Sequence, residues 1–166
     1  MSQQDIVFKL SDLNTIVANT LNDFYQIIEQ KNIQFKIDKL PSIICEDNHI
    51  RLVFHHLISN AIKFNNSKKP LIIISCKDNS ETFWEFSIKD NGIGIPRIYQ
   101  NKIFDIFKRL HNKQDYDGTG IGLTLCEKII QRHGGKIWVE SQDGLGTIFY
   151  FTISKNLNKR QVKVLP

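Results

Sequence analysis

Apolar residues recur three or four positions apart from Leu13 through Ile16, Val17, Leu21, Phe24, Ile27 and Ile28, with polar residues between them. That spacing predicts an amphipathic helix to about residue 31, capped at its start by Ser11 or Asp12. Residues 5 to 10 read as a short strand before it, and the alternation from Ile33 to Ile37 as a strand after it. Pro41 then breaks the pattern, and Asp47 opens a second helix running to about Phe64.

The pattern changes after that helix. Leu71 to Lys77 and Phe83 to Lys89 are strand-like, and the turn-like Asp78, Asn79 and Ser80 between them predict a hairpin. Gly92, Gly94, Pro96 and Gly118 bracket a long stretch without periodicity, which reads as a loop or lid. A third helix is expected from about Gly120 to Arg132, with Ile121, Leu125, Cys126 and Ile129 on one side and Gly134 and Gly135 at its end. Lys136 to Ser141 and Thr147 to Ser154 are the last strands. This order predicts an α+β fold, a two-layer sandwich whose mixed, mostly antiparallel sheet is covered on one face by three helices.

Composition narrows the picture without changing it. With 166 residues and 41% hydrophobic content the chain suits one packed domain, read here as residues 1–154 followed by a basic tail, 155–166, that carries Lys155, Lys159, Arg160 and Lys163. No apolar run approaches the roughly 20 residues of a membrane span, residues 1 to 10 lack the marks of a secretory signal, and a cytoplasmic setting is expected. Cys45, Cys76 and Cys126 form no metal-binding spacing and read as reduced core residues. The formal charge of +5 suits an anionic ligand. It is spread thinly, without aromatic and basic residues interleaved, so nucleic acid is not an expected partner.

Three stretches carry candidate chemistry. On the second helix His56, Asn60 and Lys63 fall within roughly 60° of one another, beside Val53, Leu57, Ala61 and Phe64, which would face the sheet. An amide oxygen ligates Mg²⁺ and a lysine neutralises phosphate, so the strip suits a nucleotide; an exposed polar helix face is the plainer alternative. Asp90 ends a strand and is followed by Gly92, Ile93, Gly94, Ile95 and Pro96, a carboxylate for an exocyclic amine next to backbone that a flat ligand can approach. In isolation such a segment is an ordinary turn. Gly118, Thr119, Gly120, Ile121, Gly122 and Leu123 lead into the third helix, whose free N–H groups and dipole form a phosphate cradle. Its glycine spacing matches neither the P-loop nor the dinucleotide fingerprint, and a flexible turn is the competing reading. Lys108 and Arg109 could reach a terminal phosphate from the lid or lie on the surface as a basic pair. Gly144 to Thr147 reads as a hairpin turn.

Taken in order, these blocks resemble the ATP-binding catalytic domain of sensor histidine kinases, in the superfamily that includes DNA gyrase. The N box resembles His56 to Phe64, the first glycine box Asp90 to Gly94, the F box Phe104 to Phe107 and the second glycine box Gly118 to Gly122. The stretches from His133 to Ser141 and from Gly144 to Thr147 are similar as well, and the lid from Phe107 through Tyr116 is most like that of phytochrome-related kinases. The resemblance implies a Bergerat fold with ATP and Mg²⁺ as cofactors. Asn60 would hold the metal, Lys63 and the amides of Gly120 and Gly122 the phosphates, Asp90 the adenine amine and Thr147 adenine through water. Arg109 would approach the γ-phosphate, with Lys108, Phe64, Gly92, Gly94, Ile95, Gly118, Thr119, Ile121 and Leu123 completing the pocket. The catalytic set would be Asn60, Lys63, Arg109 and His56.

Two departures stand out. His56 occupies the first N-box position, where kinases of this type carry Asn and the gyrase group Glu; imidazole there is either a proton acceptor or metal ligand, or a tolerated replacement. None of the five histidines has the context of the family's phosphoacceptor. The implied activity is therefore transfer of the γ-phosphoryl group of Mg-ATP to a histidine on a separate dimerisation domain, with a response regulator downstream. The alternative is a catalytically weak, nucleotide-binding regulatory module of the same fold.

Overall fold

The computed structural model describes residues 7–78, 80–105 and 121–157. Its main sheet has five strands in the order β2-β4-β5-β7-β6. These are β2 (Gln34–Ile37), β4 (Leu71–Lys77), β5 (Phe83–Asp90), β6 (Ile137–Gln142) and β7 (Gly146–Ser154). β2 runs parallel to β4 and every other pairing is antiparallel, so the expected mixed, mostly antiparallel sheet is present.

The helices are α1 (Leu13–Asn22), α2 (Tyr25–Lys31), α3 (Asp47–Lys63), α4 (Arg97–Gln100) and α5 (Gly122–Arg132). Alternation along β4, β5 and β7 turns Ile72, Ile74, Phe86, Ile88, Phe149, Phe151 and Ile153 into the core, where they meet Val53, Phe54, Leu57, Ile58 and Ala61 of α3. Phe54 contacts both Phe86 and Phe151 edge-on, and those two rings stack at 5.0 Å. α3 packs between α1 and α5, which fixes its position over the sheet.

Four local readings are corrected. The periodic segment from Leu13 is two helices: Asn22 and Asp23 are weak helix formers, and Asp23 leaves the helix to pair with Arg51 of α3 at 2.8 Å. The first strand is β1 (Lys9–Asp12), later than residues 5 to 10, and it pairs antiparallel with an unforeseen strand, β3 (Ser42–Cys45), as a separate small sheet. Asp12 nevertheless caps α1 as expected, accepting from the Asn14 amide at 2.9 Å. The non-periodic stretch after Gly94 contains α4, and Lys155 is no solvated tail residue. Its ammonium lies 4.3 Å over the Trp84 ring, donates to the Ser80 carbonyl at 2.8 Å and pairs with Asp78.

The cysteines are free as expected; Cys45 and Cys126 are buried and Cys76 partly so. Burial pushes their thiols up to about 11, 12 and 11 for Cys45, Cys126 and Cys76, so they stay protonated and unreactive at neutral pH.

Candidate nucleotide site

Asp90 is the last residue of β5 and shares the inward parity of Phe86 and Ile88, so strand alternation places a carboxylate at the rim of the core. It is 7% exposed. Its cross-strand partner on β7 is Thr147, also buried, and Thr147 in turn faces Ser141 of β6. Burial raises the Asp90 carboxyl to about 6, while the backbone amides of Gly92 and Thr147 pull it down. The Gly92 N–H reaches Oδ1 at 2.8 Å. At neutral pH the group is ionised, at a cost of about 3 kcal/mol, the free-energy equivalent of moving from 3.8 to about 6.

The turn beyond Asp90 is glycine because backbone crowds it. A Cβ on Gly92 would stand 2.2 Å from the Phe64 carbonyl oxygen, and one on Gly94, which adopts φ +74°, 2.0 Å from that of Gln142. The Phe64 carbonyl instead accepts from the Ile93 amide at 2.9 Å, which couples the end of α3 to this turn. Thus Phe64, Asp90, Gly92, Gly94, Ile95 and Thr147, predicted from separate motifs, meet around one rim. Gly146 serves it too: a Cβ there would lie 2.1 Å from the Asp90 carbonyl oxygen, so β7 can approach Asp90 only without a side chain at that position.

His56, Asn60 and Lys63 are half-buried along one side of α3, while Val53, Leu57 and Ala61 are buried as predicted. His56 meets the first turn of α5, where a Cβ on Gly122 would come within 2.8 Å of Nδ1. The second glycine box therefore seats the N-box histidine against the α5 N-terminus. Burial, then the charges of His55 and Lys63, hold the His56 imidazole below its ordinary value and keep it neutral at pH 7. Ile121 is exposed, and Leu123 packs against the core. Phe104 of the F box sets its ring edge-on to Phe149 at 6.4 Å, and its carbonyl accepts from Thr124 Oγ1 at 2.7 Å. Lys108, Arg109, Gly118, Thr119 and Gly120 lie outside the described residues.

Three residues that the motifs did not single out organise the rim. Asn91 Oδ1 accepts from Asn65 at 3.0 Å and from the Leu71 amide at 2.8 Å, and its Nδ2 donates to the Lys69 carbonyl at 2.9 Å, pinning the loop after α3. Ser141 Oγ accepts from the Ile95 amide at 2.8 Å. Gln100 Nε2 bridges the carbonyls of Ile95 and Ser141 at 2.9 and 2.7 Å. The sequence signal for Asn91 was its place beside Asp90; Ser141 and Gln100 had none, because the contacts that bring them to the rim, Ser141 to Ile95 and Gln100 to Ser141, span 46 and 41 residues of chain. An open cleft of about 450 Å³ adjoins the turn, lined by Asn66, Ser67, Asn91, Ile93 and Asp143 among others; of the predicted pocket residues that are described, only Gly92 borders it.

Among the described residues no group of three or more His, Cys, Asp or Glu is placed to hold a metal by itself. A single amide such as Asn60 fits a hard ion that keeps water and phosphate oxygens as its other ligands, as Mg²⁺ does. Among the same residues no helix is long and apolar enough to cross a membrane.

Residues 45–157 match the family model described as histidine kinase-, DNA gyrase B-, and HSP90-like ATPase. The chain is 40% identical over 158 residues to cyanobacterial phytochrome A of Nostoc sp., covering 95% of this chain and 20% of that protein. It is 36% identical over 157 residues to the adaptive-response sensory kinase SasA of Prochlorococcus marinus, covering 90% of this chain and 42% of the kinase. The chain thus spans only a part of these relatives. Among solved structures, the nucleotide-free catalytic domain of histidine kinase ThkA superposes with a TM-score of 0.75 at 31% identity over 89% of this chain and 97% of that one. A longer ThkA, in complex with response regulator protein TrrA, gives a TM-score of 0.71 at 28% identity over 89% of this chain and 42% of the other.

Proposed function

The chain belongs to the histidine kinase-, DNA gyrase B-, and HSP90-like ATPase family, as an ATP-binding domain of the protein-histidine kinase kind, and on that premise we propose that it binds Mg-ATP and donates the γ-phosphoryl group to a histidine on a separate dimerisation domain. A response regulator is the partner that receives the group next, a reading supported by the ThkA–TrrA complex. A cytoplasmic setting, where ATP and free thiols prevail, belongs to the same reading.

One observation carries the proposal: a charged carboxylate kept at the core's rim against the solvation penalty, beside a turn in which Gly92 and Gly94 leave backbone bare. Asp90 accepts from the adenine amine, and Gly92 and Gly94 let the base lie close to backbone. The α5 N-terminus and Lys63 neutralise phosphate charge. Asn60 would hold Mg²⁺, which would supply further neutralisation at the phosphates. Arg109 would neutralise charge at the γ-phosphate as the acceptor imidazole nitrogen bonds to phosphorus, the bond to the bridging oxygen breaks and ADP leaves. Positioning and charge supply the rate enhancement, because no protein group is transformed on this side of the reaction.

Calorimetric titration of ATP with and without Mg²⁺ tests the assignment. Asp90→Asn is expected to lose binding and Asn60→Ala to lose its metal dependence; unchanged titrations in both variants would reject the site. A second reading, a nucleotide-binding regulatory module that transfers little, draws on His56, whose neutral ring is packed under α5. Phosphotransfer to a supplied dimerisation domain separates the two.

A further inference from the structure

We propose that the sheet face turned away from α3 and α5 is an interface for a second copy of this chain, packed with its strands reversed about a two-fold axis that runs across β4, β5, β7 and β6. Strand parity sends Phe86, Ile88, Phe149 and Phe151 inward, so the residues between them form the outer face. The candidate nucleotide site does not share it: Asp90 has inward parity, and the His56, Asn60 and Lys63 strip belongs to α3. Lys77, Phe83, Lys89, Lys136 and Glu140 on the outer face are exposed, so the described chain leaves it open. Ile73, Ile148, Trp138 and Tyr150 are only half-buried there, with the two aromatic rings stacked at 5.2 Å and the Lys136 ammonium 4.9 Å over Trp138. Aromatic and aliphatic side chains ringed by charge have the composition of an interface core and its rim.

The register fixes how such a face fits itself. A middle row crosses the sheet through Ser75, Ser87, Tyr150 and Trp138. On one side of it lie Ile73, Lys89, Ile148 and Glu140, and on the other Lys77, Glu85, Thr152 and Lys136. An axis along the middle row keeps each strand over its own copy and exchanges the flanking rows. Lys89 then meets Glu85 of the second copy, Glu140 meets Lys136, Ile148 meets Thr152 and Ile73 meets the stem of Lys77, and every contact recurs on the other side of the axis. Lys89 and Glu85 have no ion pair among the described residues, so both charges are available. An axis along the strands would instead set Lys89 on Lys89 and Glu85 on Glu85, and opposed like charges disfavour it. Facing sheets stand about 10 Å apart and cross at about 30°, which shifts a strand two places from the pivot by about 5 Å, within reach of Lys and Glu side chains. At ~4.8 Å between strands and ~3.4 Å per residue the face covers roughly 500 Å², below the roughly 800 Å² per partner of a standard interface. The pair is therefore weak and dependent on concentration.

Sedimentation equilibrium of the full chain, from about 10 μM to about 1 mM, tests the interface. The unsubstituted chain should dimerise reversibly, and less tightly at high salt. Lys89→Glu and Glu85→Lys each oppose like charges twice per dimer, and each should weaken association about tenfold. An equimolar mixture of these two variants should associate as the unsubstituted chain does, because every contact in the mixed pair again joins opposite charges. The chain carrying both substitutions should recover for the same reason. Lys128→Glu, an equal charge change at an exposed position of α5, should leave association unchanged. Should either variant on β5 fail to fold, Lys136→Glu and Glu140→Lys on β6 repeat the comparison. A chain that stays monomeric at about 1 mM leaves the face to solvent or to an unlike partner and overturns the inference. So does association that the charge reversals leave unchanged, which puts the contact on another surface, or that Lys89→Glu strengthens, which puts the axis along the strands. None of these outcomes bears on the proposed function, which is read from ATP titration.

Discussion

Asp90 and His133 are both buried ionisable residues beside β7, at its opposite ends, and the fold treats them in opposite ways. His133 is fully buried and fully partnered: Nδ1 donates to the Ile129 carbonyl at 2.8 Å, and Nε2 accepts from the Glu46 amide at 3.2 Å. It ties the end of α5 to the start of α3, whose first amides are capped by the Glu46 carboxylate. Burial holds its imidazole below the ordinary value, so the ring is neutral and every polar atom is used. Asp90 lies at the other end, 7% exposed, and its carboxyl is raised to about 6 because backbone amides compensate only part of its lost solvation. A saturated buried group holds structure together; on the proposed function, the undersupplied one is where the ligand completes the set.

Breaking the structural end should give the largest effect. His133→Ala leaves the Glu46 amide and the Ile129 carbonyl without their partner and opens a cavity, and should cost about 3 kcal/mol of stability in urea titrations. ATP affinity of the folded fraction should stay within about twofold, since the site is at the far end of β7. If binding collapsed while the fold held, the division into two ends would be wrong.

The proposed functional end should respond with the reverse sign. Asp90→Asn removes a charge the fold holds at a cost, so stability should rise by about 1 to 3 kcal/mol while ATP affinity falls by about 100-fold. A destabilised variant with intact binding would mean that Asp90 is a structural residue like His133.

Acidity sharpens the contrast. The folded Asp90 carboxyl titrates above its unfolded value of 3.8, so the native state binds the extra proton between about 6 and 4, and acidification through that range stabilises it. The stability advantage of Asp90→Asn should therefore be greatest above pH 7 and close as the pH falls toward 4. His133 has the opposite sign: its folded value lies below 6.5, so its contribution is present above that pH and is lost as the pH falls through the histidine range. Urea titrations of both variants at pH 7.5, 6 and 4.5 give the two slopes, and parallel slopes would contradict the contrast.

The smallest effect is expected at the periphery of the structural end. Lys155→Met keeps much of the contact with Trp84 but removes the half-screened pairing with Asp78, and should change stability by no more than about 1 kcal/mol. ATP affinity should not change.

Much of the candidate site was legible because its signals are local. The helical period placed His56, Asn60 and Lys63 on one side of α3, and strand parity together with the following glycines marked Asp90. The glycine before Thr147 read only as a hairpin turn, yet it is required by the approach of β7 to Asp90. The break between α1 and α2 and the existence of β3 were not legible. Asp23 is drawn out by Arg51, 28 residues away, and a four-residue strand after a proline declares itself only when it pairs with β1.

The sequence by itself determined which residue types could bind a nucleotide, on which elements they sit and in which order, because periodicity and glycine placement act over a few residues. Tertiary structure decided the state of those residues: that Asp90 is buried enough to resist ionisation, that His56 lies under the first turn of α5, and that Ser141 and Thr147 meet across β6 and β7. Solvation and hydrogen-bond direction depend on which atoms of distant segments come within about 3 Å, and no local pattern encodes that.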